Sequence, residues 1–136
     1  NSSDSEALYE CGINIGLAFQ IQDDYLDLFG NQDKIGKRVG GDVIENKKTI
    51  LYHMCKINSN SEQLELLNHL YNSREVEAKV EKAKSLFIET KADTSTKDLV
   101  KHYSDLALKS IDKIKVDSNL KEDLVSLTNL LLERKN

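Results

Sequence analysis

Apolar and polar positions repeat at the spacing of α-helices along almost the whole chain. Leucine, isoleucine, valine and aromatic side chains recur every three or four residues, and short runs of Asn, Ser, Asp and Thr separate the stripes. No segment qualifies as a strand, so the pattern predicts an all-α helical bundle. The predicted helices cover residues 4–29, 43–56, 61–71, 74–89, 96–115 and 120–134.

The first predicted helix, Asp4 to Phe29, differs from the others because its centre is apolar or small almost all the way round. A helix of this kind is expected to be buried on most sides. Gly12 and Gly16 lie four positions apart and leave a flat groove for a neighbouring helix or for a ligand. The helix therefore requires packing partners over most of its surface.

Glycine is concentrated in the stretch that follows this helix. Four of the six glycines fall between Gly30 and Gly41, which predicts a loop. Two of them, Gly40 and Gly41, are adjacent and allow the backbone to approach another group closely. Asp42 then occupies a position from which it can cap the next predicted helix.

Composition narrows the classes of function. The chain has 136 residues, no proline, 31% charged residues and 6% aromatic residues, which suits long helices better than β-sandwiches. The net charge of -4 does not indicate a nucleic-acid-binding surface. No apolar run approaches the roughly 20 residues of a transmembrane helix. Cys11 and Cys55 lie outside any Cys-x-x-Cys pair and are predicted to be buried, reduced thiols of a cytosolic protein.

Three carboxylates crowd one side of the first predicted helix near its end. Asp23 and Asp27 are four residues apart and share a face, and Asp24 lies about 100° round the helix from Asp23. Like charges at this spacing destabilise a helix, and the preceding apolar run suggests that their surroundings are partly dry. We therefore expect a compensating cation, and Mg²⁺ suits oxygen ligands completed by water and phosphate. A solvated acidic helix face is the alternative.

Basic residues follow these acids in a second cluster. Residues Gly36 to Asp42 have the sequence G-K-R-V-G-G-D, and Asn46 to Thr49 have the sequence N-K-K-T. Lysines in this order suit a diphosphate held between a metal ion and ammonium groups, both of which stabilise charge on a departing pyrophosphate. A basic surface loop is the alternative for any single lysine, but it does not explain the glycines.

The two motifs together resemble those of the trans-isoprenyl diphosphate synthase, or polyprenyl synthetase, family. Residues Phe19 to Asp27, F-Q-I-Q-D-D-Y-L-D, resemble its second aspartate-rich motif, and Gly36 to Thr49 resemble the G-K-x-x-G-G-D-x-x-x-N-K-K-T segment that follows. The later helices are similar to the family's C-terminal helices in pattern only. The resemblance implies that residues 1–136 form the C-terminal portion of a single all-α prenyltransferase domain with the isoprenoid synthase fold.

The resemblance also implies a Mg²⁺-dependent prenyltransferase of isoprenoid biosynthesis, with Mn²⁺ as an alternative ion, in a cytoplasmic homodimer. Such enzymes join an allylic diphosphate to isopentenyl diphosphate. The allylic C–O bond ionises to a carbocation and pyrophosphate, and the alkene then attacks. The residues implied by the resemblance are Asp23, Asp24 and Asp27 for the metal, Lys37 and Lys47 for the allylic diphosphate, and Phe19 and Gln20 for the pocket beside the reacting carbons. Asp23 is the expected direct ligand.

The chain departs from the family pattern in one respect. The family has a first D-D-x-x-D motif, with arginines and a G-G-K-type segment for isopentenyl diphosphate, and these 136 residues contain neither. We therefore expect the chain alone to be inactive and to cover its unpaired helix faces by self-association. Two alternatives stay open: a non-catalytic diphosphate-binding or partner subunit of a prenyltransferase, and a structural helical protein with a coincidental acidic motif. Terpene cyclases and squalene-type synthases share D-D-x-x-D motifs, but the glycine–lysine segment argues against them.

Overall fold

The computed structural model describes residues 2–30, 39–115 and 117–133. Its helices, in chain order, are α1 (Ser2–Phe29), α2 (Gly41–Ile44), α3 (Ile50–Asn58), α4 (Ser61–Asn72), α5 (Lys79–Glu89), α6 (Ala92–Asp112) and α7 (Ser118–Leu132). No strand occurs in these ranges, so the prediction of an all-α protein is confirmed. Among the described helices, none combines the length and the apolar composition needed to cross a membrane.

The helix predicted over 43–56 is two helices, α2 and α3. Asn46 adopts a left-handed backbone, with φ of 59°, directly after the last turn of α2. Its amide donates to the Val43 carbonyl at 3.0 Å, and the Lys47 amide donates to the Asp42 carbonyl at 2.8 Å. This pair of bonds is a Schellman motif, which ends a helix, and asparagine tolerates the conformation that it requires. The prediction of one continuous helix was therefore wrong.

Two later helices begin at residues other than those predicted. The fifth helix, α5, begins at Lys79 rather than at Arg74, after Ala78, whose φ is 61°. The next, α6, begins at Ala92, so that Thr96 lies inside this helix instead of starting it. The starts of α4 and α7 lie within two residues of the predicted positions because an asparagine and an aspartate cap them.

The described residues form two compact units. The first takes its residues from 1–22 and 98–134, and the second from 23–97. The larger core belongs to the second unit, where α5 packs against α2, α3 and α4. The largest side chains that are fully buried in this core are Leu28, Leu51, Leu67, Leu86 and Phe87. Burial of these apolar groups is the main stabilising contribution in this unit.

The first unit has a smaller core. Cys11 of α1 is buried with Ala107 and Ile111 of α6, and Leu124 of α7 packs against them. Cys11 and, in the other unit, Cys55 are both buried and not disulfide-bonded, as predicted. Burial raises the pKa of the Cys11 thiol above its ordinary value, so the thiol is the stable form at neutral pH.

One face of α1 is open, although this helix was predicted to be buried on most sides. Apart from the nearby backbone of α1 itself, no atom of the described residues lies within 4 Å of a Cβ built on Gly12 or Gly16, so the predicted groove exists as an open surface. The exposed apolar side chains of α1, between 42% and 71% accessible, are Leu8, Tyr9, Ile13 and Leu17. The described residues therefore do not supply the packing partners that the composition of α1 requires.

Candidate functional site

The acidic residues lie on the last part of α1, within the second unit. Tyr25 and Phe29 stack with their ring centroids 5.0 Å apart and pack against the main core. Tyr25 lies about 200° round the helix from Asp23, so anchoring the aromatic side turns Asp23 toward solvent. Asp23 is accordingly exposed, and Asp24 and Asp27 are half-buried. The three acids are therefore in different environments.

Asp27 is tied to the beginning of α2. Its Oδ2 accepts a hydrogen bond from the Asp42 backbone amide at 3.0 Å, and its backbone carbonyl accepts one from the Gly40 amide at 2.8 Å. Gly40 occupies the N-cap position of α2 and provides no side-chain cap. The Asp27 carboxylate thus supplies from α1 the acceptor that a local cap residue normally provides. The prediction that Asp42 caps this helix was wrong, because Asp42 lies inside it.

Lys47 joins the same group through the side chain of Asp42. The Lys47 Nζ lies 3.9 Å from the Asp42 Oδ1, and the two side chains are 62% and 24% exposed. An ion pair of this length between solvated groups contributes little to stability because water screens it. The Lys47 ammonium is therefore held near the carboxylates and remains accessible to a second anion.

Gly40 allows α2 to begin close to α5. Its φ is 74°, and a Cβ at this position would lie 2.8 Å and 2.9 Å from the two Cγ atoms of Val80. The predicted close backbone approach at this pair of glycines is confirmed for Gly40. The group that it approaches is a side chain of the chain's own α5, which explains this glycine without a ligand.

We expect Gly40→Ala to lower the free energy of unfolding by about 2–4 kcal/mol, measured by urea denaturation. The left-handed backbone costs an alanine about 1–2 kcal/mol, and overpacking against Val80 adds about 1–2 kcal/mol. Gly12→Ala is the matched control because its Cβ would meet no described atom within 4 Å other than the nearby backbone of its own helix. We expect Gly12→Ala to be neutral or to stabilise α1 by up to about 1 kcal/mol. Equal losses in the two variants would contradict the close-approach explanation.

Tyr71 of α4 borders the acidic group. Its buried ring packs against Tyr52 with the ring centroids 4.7 Å apart. Burial raises the pKa of the Tyr71 hydroxyl well above its ordinary value, and the neighbouring Cys55 and Asp42 raise it further. The phenol therefore stays protonated near the carboxylates. In the sequence this tyrosine follows an ordinary leucine stripe, so nothing distinguished it from a core residue.

The remaining candidates are Phe19, Gln20 and Lys37. Phe19 is half-buried and Gln20 is exposed, both on the part of α1 that belongs to the first unit. Lys37 lies outside the described residues. Over the three described ranges, no three His, Cys, Asp or Glu side chains converge as a metal-binding cluster. The described chain therefore brings together Asp27, Asp42 and Lys47, with Asp23 and Asp24 one turn earlier on the same helix.

Comparison with known proteins identifies the family. The family model described as Polyprenyl synthetase matches residues 1–87, which is more than half of the chain. The chain belongs to the polyprenyl synthetase family. The matched region contains both sequence motifs, Phe19 to Asp27 and Gly36 to Thr49. The family resemblance drawn from those motifs is therefore confirmed.

Relatives and solved structures of the polyprenyl synthetase family agree with this assignment. The chain is 44% identical to the short chain isoprenyl diphosphate synthase of Methanocaldococcus jannaschii over 84 residues, which are 61% of this chain and 26% of the relative. It is 31% identical to the geranylgeranyl diphosphate synthase of Saccharolobus solfataricus over 115 residues, 85% of this chain and 35% of the relative.

A solved structure extends the comparison to the whole chain. The polyprenyl synthase from Caulobacter crescentus CB15, complexed with calcium and isoprenyl diphosphate, matches with a TM-score of 0.86 and 31% identity. The match covers 100% of this chain and 42% of that one. The prediction of the isoprenoid synthase fold is confirmed. The chain spans less than half of each of these three proteins.

Proposed function

We propose that this chain is the C-terminal part of a single prenyltransferase domain and supplies half of its diphosphate-binding site. The whole protein would condense an allylic diphosphate with isopentenyl diphosphate in isoprenoid biosynthesis. The observation that carries the proposal is the linked group of Asp27, Asp42 and the exposed Lys47 ammonium in a member of the polyprenyl synthetase family. Family membership argues against a coincidental acidic motif. Product analysis separates the enzyme from a non-catalytic partner subunit.

Asp23 and Asp24 would hold Mg²⁺ in this function, with Mn²⁺ as the alternative ion. Mg²⁺ keeps several waters and takes one or two protein carboxylates together with substrate phosphates. Asp23 is exposed and the adjacent Asp24 is half-buried. These two carboxylates fit the requirement without a third protein ligand from the described residues. Asp27, whose Oδ2 already accepts the Asp42 amide, would act through water. Bound Mg²⁺ would neutralise part of the charge of the diphosphate.

Lys47 would bind the diphosphate oxygens that the metal ion does not reach. Its ammonium can turn toward an anion at little cost, because its ion pair with Asp42 is long and solvated. Negative charge grows on the pyrophosphate as the allylic C–O bond breaks, so a positioned ammonium stabilises the transition state more than the bound substrate. Lys37 would act in the same way, and Phe19 and Gln20 would line the pocket near the reacting carbons.

Pyrophosphate binding tests the role of Lys47. We expect Lys47→Ala to raise the Kd of the intact protein for pyrophosphate, measured by calorimetry with Mg²⁺ present, by about tenfold or more. A hydrogen bond between charged groups contributes about 1.5–3 kcal/mol, which corresponds to this change. Lys56→Ala, at an exposed lysine of α3, makes the same change in charge and should leave the Kd within about twofold. Equal weakening by both substitutions would indicate a net-charge effect only.

The 136-residue chain on its own is proposed to be inactive in prenyl transfer, because it contains one aspartate-rich motif of the two that the family uses. The exposed apolar face of α1 is the surface that we propose for self-association or for a homodimer. A cytoplasmic location stays a prediction.

A further inference from the structure

Lys79, the first residue of α5, is a buried charged residue beside the end of α2. Its side chain is 3% exposed. Its ammonium donates to the Ser73 carbonyl at 2.7 Å and to the Oδ1 of Asn46. Both acceptors are neutral, and among the residues that the structure describes no carboxylate lies at ion-pair distance from it. Burying an ammonium without a counter-charge is unfavourable, and burial lowers the pKa of Lys79 below its ordinary value.

The start of α5 has two more unfavourable features. Ala78, at the N-cap of α5, has a left-handed backbone and makes no side-chain cap. This conformation costs a residue other than glycine about 1–2 kcal/mol. A positive charge in the first turn also opposes the helix dipole. Backbone strain of this kind persists only where the surrounding structure enforces it, and it clusters at functional sites.

Lys79 connects three segments directly beside Lys47. Asn46 follows the end of α2, Ser73 follows the end of α4, and Lys79 opens α5. The Nδ2 of Asn46 donates to the same Ser73 carbonyl at 3.4 Å, so the three groups form a closed hydrogen-bonded triangle. Asn46 is the left-handed residue of the Schellman motif, and Lys47 is the next residue. The conformation of Asn46 therefore sets the direction in which Lys47 leaves α2.

We propose that Lys79 is a positioning residue for diphosphate binding, which acts through the side-chain amide of Asn46 to hold the turn that presents Lys47. The inference rests on the proposed function, in which Lys47 contacts the diphosphate. Lys79 touches no ligand in this role. If the turn at Asn46 is already held, it loses less conformational entropy when the anion binds. A small displacement of the Lys47 ammonium would also weaken its contribution to binding strongly.

Pyrophosphate binding to variants of the intact protein tests this role, with Mg²⁺ present throughout. Lys79→Met keeps the apolar stem and removes the ammonium, and we expect it to raise the Kd by about tenfold. Asn46→Gly keeps the left-handed backbone accessible and removes the amide, and we expect a similar increase. Lys82→Met, at an exposed lysine of the same helix, is the matched control and should stay within about twofold of the unsubstituted protein.

Coupling to Lys47 separates positioning from a general loss of structure. In a Lys47→Ala background, Lys79→Met should not raise the Kd further, because the group that it positions is gone. A folded Lys79→Met protein with an unchanged Kd, or the same tenfold loss in both backgrounds, would overturn the proposal. Circular dichroism shows whether Lys79→Met is folded. If it is not, Asn46→Gly, which changes a half-buried turn, replaces it in the same two comparisons of Kd.

The proposed function can fail independently of this inference. An unchanged Kd in Lys47→Ala alone would remove the diphosphate-binding role of Lys47 and the inference with it. A raised Kd in Lys47→Ala together with unchanged values in Lys79→Met and Asn46→Gly would leave that role intact and refute only the positioning role. The three variants therefore assign each outcome to one of the two proposals.

Discussion

Asp23→Asn in the intact protein should lower kcat/KM for prenyl transfer by about 10²–10³-fold. The substitution keeps the size of the side chain and removes the negative charge proposed to bind Mg²⁺ at an exposed position of α1. Removing one preorganised group that stabilises the charge developing in the transition state lowers the rate by about 10²–10³-fold. Conversion of labelled isopentenyl diphosphate, with geranyl diphosphate as the allylic substrate, measures the effect over a range of Mg²⁺ concentrations.

The control for this experiment is Asp105→Asn, the same change at an exposed aspartate of α6, which should leave kcat/KM within about twofold. Asp27 is not used for this test, because its Oδ2 accepts the Asp42 amide and its loss would disturb α2. Thermal unfolding shows that each variant is folded. A folded Asp23→Asn protein with full activity at every Mg²⁺ concentration would refute the metal-binding role.

Phe87→Ala should lower the free energy of unfolding by about 3–5 kcal/mol. Phe87 is fully buried in the main core, on the helix that packs against α2, α3 and α4. Its truncation removes the apolar contacts of a large ring and leaves a cavity that the surrounding helices fill only partly. Urea denaturation followed by circular dichroism measures the change.

Ile88→Ala is the matched control for Phe87→Ala because it lies next in α5 and its side chain is 52% exposed. We expect it to cost less than about 1 kcal/mol, since a solvated side chain leaves no cavity. Similar losses in the two variants would mean that α5 is not packed on the core as described. The comparison also concerns the candidate site, because α5 carries Val80, which lies against Gly40 before α2, and Lys79, which binds Asn46 after α2.

The three aspartates of the acidic motif have distinct surroundings although they lie within five residues of one another. Asp23 is exposed, Asp24 is half-buried, and Asp27 accepts the amide of a residue fifteen positions later. A carboxylate that caps a helix is partly neutralised by the amide dipoles that it accepts. We therefore expect the acids to contribute unequally to ion binding, with Asp23 contributing most.

Local patterns in the sequence were sufficient for the helical class, for most of the helices and for the family. Helical periodicity is encoded in residues three and four apart, and Asn60 and Asp117 cap α4 and α7 through neighbouring residues. The order of the aspartate motif and the glycine–lysine motif identified the family, which the match over residues 1–87 confirms. These signals need no knowledge of distant contacts.

The tertiary structure alone decided which acceptor caps the start of α2, which side chain Gly40 approaches and which lysine is buried. Asp27 and Asp42 are fifteen residues apart, Gly40 and Val80 forty, and Asn46 and Lys79 thirty-three. Each pairing depends on which groups lose water together when the helices pack, and a helical stripe in one segment carries no information about its partner. In the sequence Lys79 is one lysine among many, and only its burial beside Asn46 distinguishes it.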